Sequence, residues 1–227
     1  MNFKYLLFDL DNTLYPSTSA MDAGITRRMM ECVAEFFNCS MEEAITIRKK
    51  NISHYSTTLE WLRDQGLKDI EKYLAHVHPD NECDELKKED GLRNLLLSLP
   101  QKKSILTNAP REHAQRVLEK LEVSDLFECI TDIRDPNFFG KPYPQAYQTA
   151  LKKSGFNFEE TLFIDDMQKY TDGWAALGGT SILIGNKNGK PLSKDAKSMS
   201  NAEQKAWGQT YRLKSIYELP QFLGCLN

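Results

Sequence analysis

Four short stretches carry side chains that could act together: Asp9 and Asp11 in DLDNT (9–13), Thr107 and Asn108 in ILTNA, Lys141 in GKPYP, and Asp165 with Asp166 in FIDD. Asp9 and Asp11 are two positions apart, and on extended chain residues i and i+2 share a side, so both carboxylates can face one pocket. Carboxylates so placed can bind a metal, attack as a nucleophile or exchange protons. Asp, Asn and Thr are also common in turns and helix caps. Taken singly, Thr107 with Asn108 reads equally as a cap, Lys141 before Pro142 as a solvated turn, and Asp165 with Asp166 as the cap of a helix near 168–177. A calcium loop starting at Asp9 is excluded, because it needs Gly and Glu where the chain has Leu14 and Ala20.

The elements around these stretches favour convergence. YLLF at 5–8 is a short apolar run ending at the first Asp pair, and similar runs end at Thr107, near Thr131, at Asp165 and near Gly185. Between them, 112–122 places Val117, Leu118 and Leu121 on one helical face, and 144–155 does the same with Tyr147, Ala150 and Leu151. Strand alternating with helix predicts an α/β fold with a Rossmann-like parallel sheet and helices on both faces, whose strand ends meet at one crevice. Residues 17–98 break this rhythm: they hold no convincing strand and predict an inserted all-helical module, with helices near 21–37, 41–53, 56–75 and 84–98 and a break at HVHPDN. The core is then 1–16 and 99–227. The polar tract 186–208 predicts a long loop, and Ser215–Leu223 a last short helix.

Bulk properties narrow the partners. With 29 Lys plus Arg against 32 Asp plus Glu in 227 residues, the chain lacks a basic field for a nucleic acid polymer, and small molecules are expected instead. No apolar run is long enough to span a bilayer, and Asp9 and Asp11 interrupt the N-terminal one before it could act as a signal peptide. Five scattered cysteines without a CxxC pair argue against a disulfide framework or zinc ribbon and fit a reducing cytoplasm. His76, His78 and Cys83 lack a fourth ligand and read as a solvated loop, while Met21, Met29 and Met30 read as core of the helical module.

In order and spacing, DLDNT, ILTN, GKPYP and FIDD resemble the four signature motifs of the haloacid dehalogenase superfamily, and the helical insert resembles its α-helical cap. FDLDNTLYP (8–16), HYSTTLEWL (54–62), TNAPREHAQRVLEKL (107–121) and KPYPQAY (141–147) are similar to its pyrimidine 5'-nucleotidase branch, which usually has Gly where this chain has Ser56. The resemblance implies a Mg²⁺-dependent phosphomonoesterase with Asp9 as nucleophile and Asp11 as acid and then base. Mg²⁺ would be held by Asp9, the Asp11 carbonyl and Asp166, with Asp165 close by. Lys141 would offset the negative charge, and Thr107 and Asn108 would donate to phosphoryl oxygens. The cap would read the leaving group, with His54, Tyr55, Thr57 and Thr58 as candidates. The implied substrate is a pyrimidine nucleoside monophosphate; the alternatives are another small ester, such as a sugar phosphate or phosphoglycolate, or a non-catalytic phospho-binding domain. A dehalogenase is not implied, since those relatives lack the second Asp, and receiver domains lack a cap of about eighty residues.

Overall fold

The computed structural model describes residues 3–16, 19–88, 90–185 and 208–225. Six parallel strands form one sheet in the order β3-β2-β1-β4-β5-β6: β1 (Tyr5–Phe8), β2 (Lys102–Leu106), β3 (Ile130–Thr131), β4 (Thr161–Asp165), β5 (Thr180–Ile184) and β6 (Thr210–Leu213). From β1 the chain builds outward through β2 and β3 on one side; β4, β5 and β6 build outward on the other. The reversal between β1 and β4 is the topological switch point where open sheets bind ligands. Phe8 pairs with Ile164 and Ile105, which brings Asp9, Asp165 and Thr107 to one end of the sheet.

Alternation along the central strands explains why both faces are covered. Leu6, Phe8, Leu162 and Ile164 pack with Leu92, Leu95 and Leu96 of α5 (Leu92–Ser98), Val117 and Leu118 of α6 (Arg111–Lys120), and Leu219 and Leu223 of α9 (Leu219–Cys225). Leu7 and Phe163 point the other way, to Ala146, Tyr147 and Ala150 of α7 (Pro144–Ser154) and Trp174 of α8 (Gln168–Ala176). Strands buried on both sides read as continuous apolar runs for this reason.

The cap comprises α1 (Ala20–Phe37), α2 (Met41–Asn51), α3 (Thr58–Asp64) and α4 (Ile70–Val77). Its own cluster gathers Met30, Val33, Leu59, Trp61, Leu62, Tyr73, Leu74 and Val77. Ser40 and Glu43 close a capping box on α2, and Thr57 caps α3 through the Glu60 amide. The helix expected over 56–75 is two helices, because Gly66 turns left-handed (φ 105°) and Asp69 caps a new start at Ile70 by accepting from the Lys72 amide. The helix expected over 84–98 is a 3-10 turn, Glu82–Glu85, then α5 after Gly91. α5 packs with the sheet, not with the cap cluster.

The structure adds β6, an edge strand that sequence patterning missed. The long loop expected at 186–208 lies outside the described residues apart from Gly208. Met21 packs with the sheet-side core, which corrects its assignment to the core of the helical module; Met30 is in the cap core, and Met29 packs against that cluster and also lines the cavity described below. His76 pairs with Glu31, His78 with Glu82, and the Cys83 thiol contacts Met21 Sδ, so these three side chains meet different partners. Cys32, Cys39, Cys83 and Cys129 are free thiols. Among the described residues no helix is long and apolar enough to cross a membrane.

Trp174 is fully buried and its ring meets Tyr147, Phe158 and Phe163. Trp174→Ala is expected to cost about 3–5 kcal/mol in urea denaturation, and a loss below about 1 kcal/mol would contradict this packing.

Candidate active site at the switch point

The β1 strand ends in a tight turn, where the Thr13 and Leu14 amides donate to the Leu10 carbonyl and Asn12 adopts a left-handed conformation (φ 64°) that Asn tolerates. Asp9 is anchored by its amide, which donates to the Ile164 carbonyl at 2.8 Å. Its carboxylate takes the Lys141 ammonium on Oδ1 at 2.5 Å and the Thr13 hydroxyl on Oδ2 at 3.3 Å. Lys141 has no exposed surface and also donates to Asp165 Oδ2 at 2.6 Å. Asp165 Oδ1 accepts from the Met167 amide at 2.8 Å, so both oxygens of this buried carboxylate are engaged. One oxygen each of Asp9, Asp165 and Asp166 lies within 4.8 Å of the others.

Asn108 lines the cavity and also makes a contact that the sequence does not announce. Its side-chain oxygen accepts from the Lys141 amide at 2.7 Å and its amide donates to the Lys141 carbonyl at 3.0 Å. The side chain therefore clamps the backbone that carries the ammonium. Gly140 is required beside it, because a Cβ there would collide with Asn108 Oδ1. Thr107 is buried, and its hydroxyl oxygen accepts from the Ala109 amide at 3.0 Å. The hydroxyl proton remains available to another acceptor.

These groups line one cavity of about 290 Å³, with Asp9, Asp11, Thr107, Asn108, Lys141 and Asp166 on the core side. Thr57, Thr58, Met29, Tyr73 and Arg48 close it from the cap, joined by Lys169 of α8. A larger concavity of about 370 Å³ along α6 and β3 contains none of the four signature groups. Arg48 Nε donates to Thr58 Oγ1 at 2.9 Å, and Lys169 Nζ to the Ser56 carbonyl at 2.6 Å. Neither cation is salt-bridged to a carboxylate among the described residues. Of the expected cap contacts, Thr57 and Thr58 reach the cavity, but His54 is exposed on the 3-10 turn Ile52–His54 and does not line it. Tyr55 instead donates to Asp64 at 2.6 Å. Ser56, at the usual glycine position of the branch, is buried and donates to Glu60 through its amide and hydroxyl.

Asp11 contributes no side-chain oxygen to the acidic cluster. Its Oδ1 meets the Tyr15 hydroxyl at 2.5 Å and His113 Nε2 at 2.7 Å. His113, which sequence reasoning did not single out, is wholly buried on α6, and Glu82 Oε1 approaches its Nδ1 to 2.8 Å as an ion pair outside hydrogen-bond alignment. The only advance signal was a histidine on the apolar face of a helix opening at the Thr107 loop.

Charge in this pocket is strongly biased. Burial pushes the Asp9 and Asp165 carboxyls upward against the pull of Lys141, and nearby carboxylates add to the rise. Burial opposes the charge on Lys141, but Asp165 and Asp9 outweigh it and hold the ammonium firmly protonated. Burial also acts on Asp11, where His113 and Tyr15 prevail and keep it below its ordinary range. Burial likewise opposes protonation of His113, which Asp11 and Glu82 push up to about 9. His78 is pushed down to about 4 by burial and by His113.

The sequence profile described as haloacid dehalogenase-like hydrolase matches residues 3–169, and the chain belongs to that family. Phosphate metabolism protein 8 of Saccharomyces cerevisiae is 25% identical over 236 residues, spanning 96% of this chain and 71% of that protein. Pyrophosphatase PpaX of Oceanobacillus iheyensis is 24% identical over 176 residues, 73% of this chain and 76% of that protein. L-2-haloacid dehalogenase from Xanthobacter autotrophicus superposes with a TM-score of 0.62 at 17% identity, covering 99% of this chain and 100% of its own. A HAD phosphatase from Thermococcus onnurineus does so with 0.59 at 21%, covering 99% and 98%. These likenesses to solved structures are likenesses of fold.

Lys141→Met leaves Asp9 and Asp165 buried without their cation, and is expected to cost about 3–5 kcal/mol in the metal-free protein at neutral pH. Carboxyls raised above their unfolded values contribute stability that is present below those values and lost as pH rises through the raised ones. Removing Lys141 raises them further, so the gap between variant and wild type narrows toward about pH 4. Chemical denaturation across pH checks this, and an equal gap at acid and neutral pH would contradict it.

Proposed function

We propose that this chain is a Mg²⁺-dependent phosphomonoesterase that forms an aspartyl-phosphate on Asp9, and that its substrate is a pyrimidine nucleoside monophosphate. The observation that carries the reading is the buried Lys141 ammonium between Asp9 and Asp165, beside Asp166, in the wall of a cavity sized for a small ligand. The donor set fits Mg²⁺: it is all oxygen, and three carboxylates outnumber the single ammonium among them. Asp9 and Asp166 would hold the ion directly with the Asp11 carbonyl, and Asp165 would anchor Lys141. Bound there, Mg²⁺ offsets the charge between a carboxylate nucleophile and a dianionic phosphate.

Asp9 attacks phosphorus, the phosphorus bond to the leaving oxygen breaks, and that oxygen takes a proton from Asp11. Approach of the phosphate dianion raises Asp11 toward its protonated form. In the second half-reaction Asp11 takes a proton from the water that attacks phosphorus, which frees phosphate and restores Asp9. Lys141 and the Thr107 hydroxyl stabilise the charge on the phosphoryl oxygens, while Asn108 acts through the Lys141 backbone.

The insertion at 17–98, whose α1–α4 form the cap, excludes water and reads the leaving group. Lys169 to the Ser56 carbonyl, Arg134 to Glu71, and Tyr143 to Glu60 seat it over the strand ends. Thr57, Thr58, Arg48 and Lys169 offer donors to the carbonyl and hydroxyl oxygens of a nucleoside. Arg48 and Lys169, which have no carboxylate partner among the described residues, also favour a second reading, a leaving group with its own anion as in phosphoglycolate. Free thiols at Cys32, Cys39, Cys83 and Cys129 support a cytoplasmic setting.

Phosphate release should be measured across nucleoside monophosphates, sugar phosphates and phosphoglycolate, with Mg²⁺ and after chelation. Turnover that needs Mg²⁺ and favours UMP is expected; equal turnover of UMP and unrelated esters would remove the nucleotidase reading. Asp9→Asn should abolish release from every ester, and retained turnover would refute the nucleophile. Arg48→Met should lower kcat/KM for the preferred substrate about 10- to 100-fold, the worth of one charged hydrogen bond, and an unchanged value would remove Arg48 from recognition.

A further inference from the structure

Behind Asp11 lies a row of buried polar groups that the reaction above does not use. The Tyr15 hydroxyl and His113 Nε2 converge on one oxygen of Asp11, Oδ1. Oδ2 accepts no hydrogen bond from the described residues, although Asp11 lines the cavity. Two donors on one oxygen fix the plane of the carboxylate and leave the other oxygen to exchange a proton with the ligand. Tyr15 comes from the same loop as Asp11, whereas His113 comes from α6 and ties that loop to a helix packed under the sheet.

His113 is in turn held from behind. Its ring has no exposed surface, and Glu82, also without exposed side-chain surface, lies 2.8 Å from Nδ1. Glu82 accepts from Arg116 Nη2 at 2.7 Å and meets His78 Nδ1 at 3.0 Å, and the Arg28 guanidinium of α1 stands 4.0 Å away. The His78 and His113 rings are 4.4 Å apart. These three carboxylate and imidazole groups (His78, Glu82, His113) are close enough to hold an ion, yet the arginines already neutralise Glu82, which disfavours a metal. Glu82 opens the 3-10 turn by which the chain returns from the cap, so its contacts reach Arg28 of α1 and His78 at the end of α4 on one side and Arg116 and His113 of α6 on the other.

We propose that His113 is a positioning residue, held by Glu82, which orients the Asp11 carboxylate so that its free oxygen transfers the proton to and from the reacting groups. The inference rests on Asp11 being the acid and base. It makes the seating of the cap's return segment a condition for orienting Asp11, through Glu82 and a single imidazole.

The test uses the full-length protein, two amides of different reach and two leaving groups. In His113→Gln the side-chain amide reaches the Nε2 position and keeps a donor for Asp11; in His113→Asn it stops near Nδ1 and loses Asp11. An alkyl phosphate needs its leaving oxygen protonated, whereas p-nitrophenyl phosphate does not. His113→Asn is expected to lower kcat/KM for the alkyl ester about 10²-fold, the worth of a positioned acid, with much less effect on kcat/KM for the aryl ester. Its aryl reaction should also show a burst of p-nitrophenolate, because the misplaced base slows breakdown of the phosphoenzyme. His113→Gln should restore most of the alkyl activity. A parallel fall for both esters, or equal effects of Gln and Asn, would overturn the proposal. Asp11→Asn separates the levels: if it spares alkyl turnover the acid assignment itself fails, and if it abolishes turnover while both His113 variants stay unimpaired, only the positioning role fails. Should His113→Asn not fold, Glu82→Gln is read by the same ester ratio, with a selective alkyl loss expected and a parallel loss overturning the proposal.

Discussion

Everything at this site depends on one ammonium group buried between two carboxylates. Lys141 meets Asp9 and Asp165 at 2.5 and 2.6 Å with no exposed surface, where each ion alone would cost several kcal/mol to desolvate. Such an arrangement persists only if its geometry is held from outside. Asn108 clamps the Lys141 backbone, Gly140 leaves room for that clamp, and β1 and β4 run in register so that Asp9 and Asp165 finish level. Immediately around that ammonium, Asp9, Asp165 and Asp166 place three carboxylates, the oxygen-rich setting in which a divalent cation would fit.

The sheet order puts this cluster where it can be reached. Crossovers leave β1 and β4 in opposite directions, so no helix covers their carboxyl ends, and the chain inserts its cap in the first of those connections. The cap's apolar cluster takes in Ile133 and Phe138 of the core, Met21 of α1 packs in the sheet-side cluster, and polar pairs such as Arg134 with Glu71 and Lys169 with Ser56 add to that seam.

The strands and the acidic groups were legible because their physics is local. YLLF and TLFID are apolar on both sides and stop at Asp, and Asp9, Asp11, Asp165 and Asp166 stand at those stops, while Lys141 stands in the GKPYP turn before α7. What escaped was set by distant partners. Asn108 has the chemistry of a phosphate donor, and only the folded chain shows that its oxygen and one of its two N–H groups also hold the backbone of Lys141, distant in sequence. His113 has the spacing of a core residue, and only the folded chain brings Asp11 and Glu82 to its two nitrogens. His54 lies in a family-like string, but the 3-10 turn faces it to solvent. β6 is short, half-polar and at an edge, so its pattern is weak, and the cap helices divided at Gly66 and Gly91, where positive φ overrides apolar periodicity.

The central claim is covalent chemistry at Asp9, and trapping addresses it most directly. Asp11→Asn removes the base that would discharge the intermediate. Incubated with Mg²⁺ and an aryl phosphate whose leaving group needs no proton, then acid-quenched and digested, this variant should carry one phosphoryl group, lost on treatment with hydroxylamine, on the peptide containing Asp9. Label on any other residue, or substrate turnover with no labelled enzyme during the first cycle, would contradict the account.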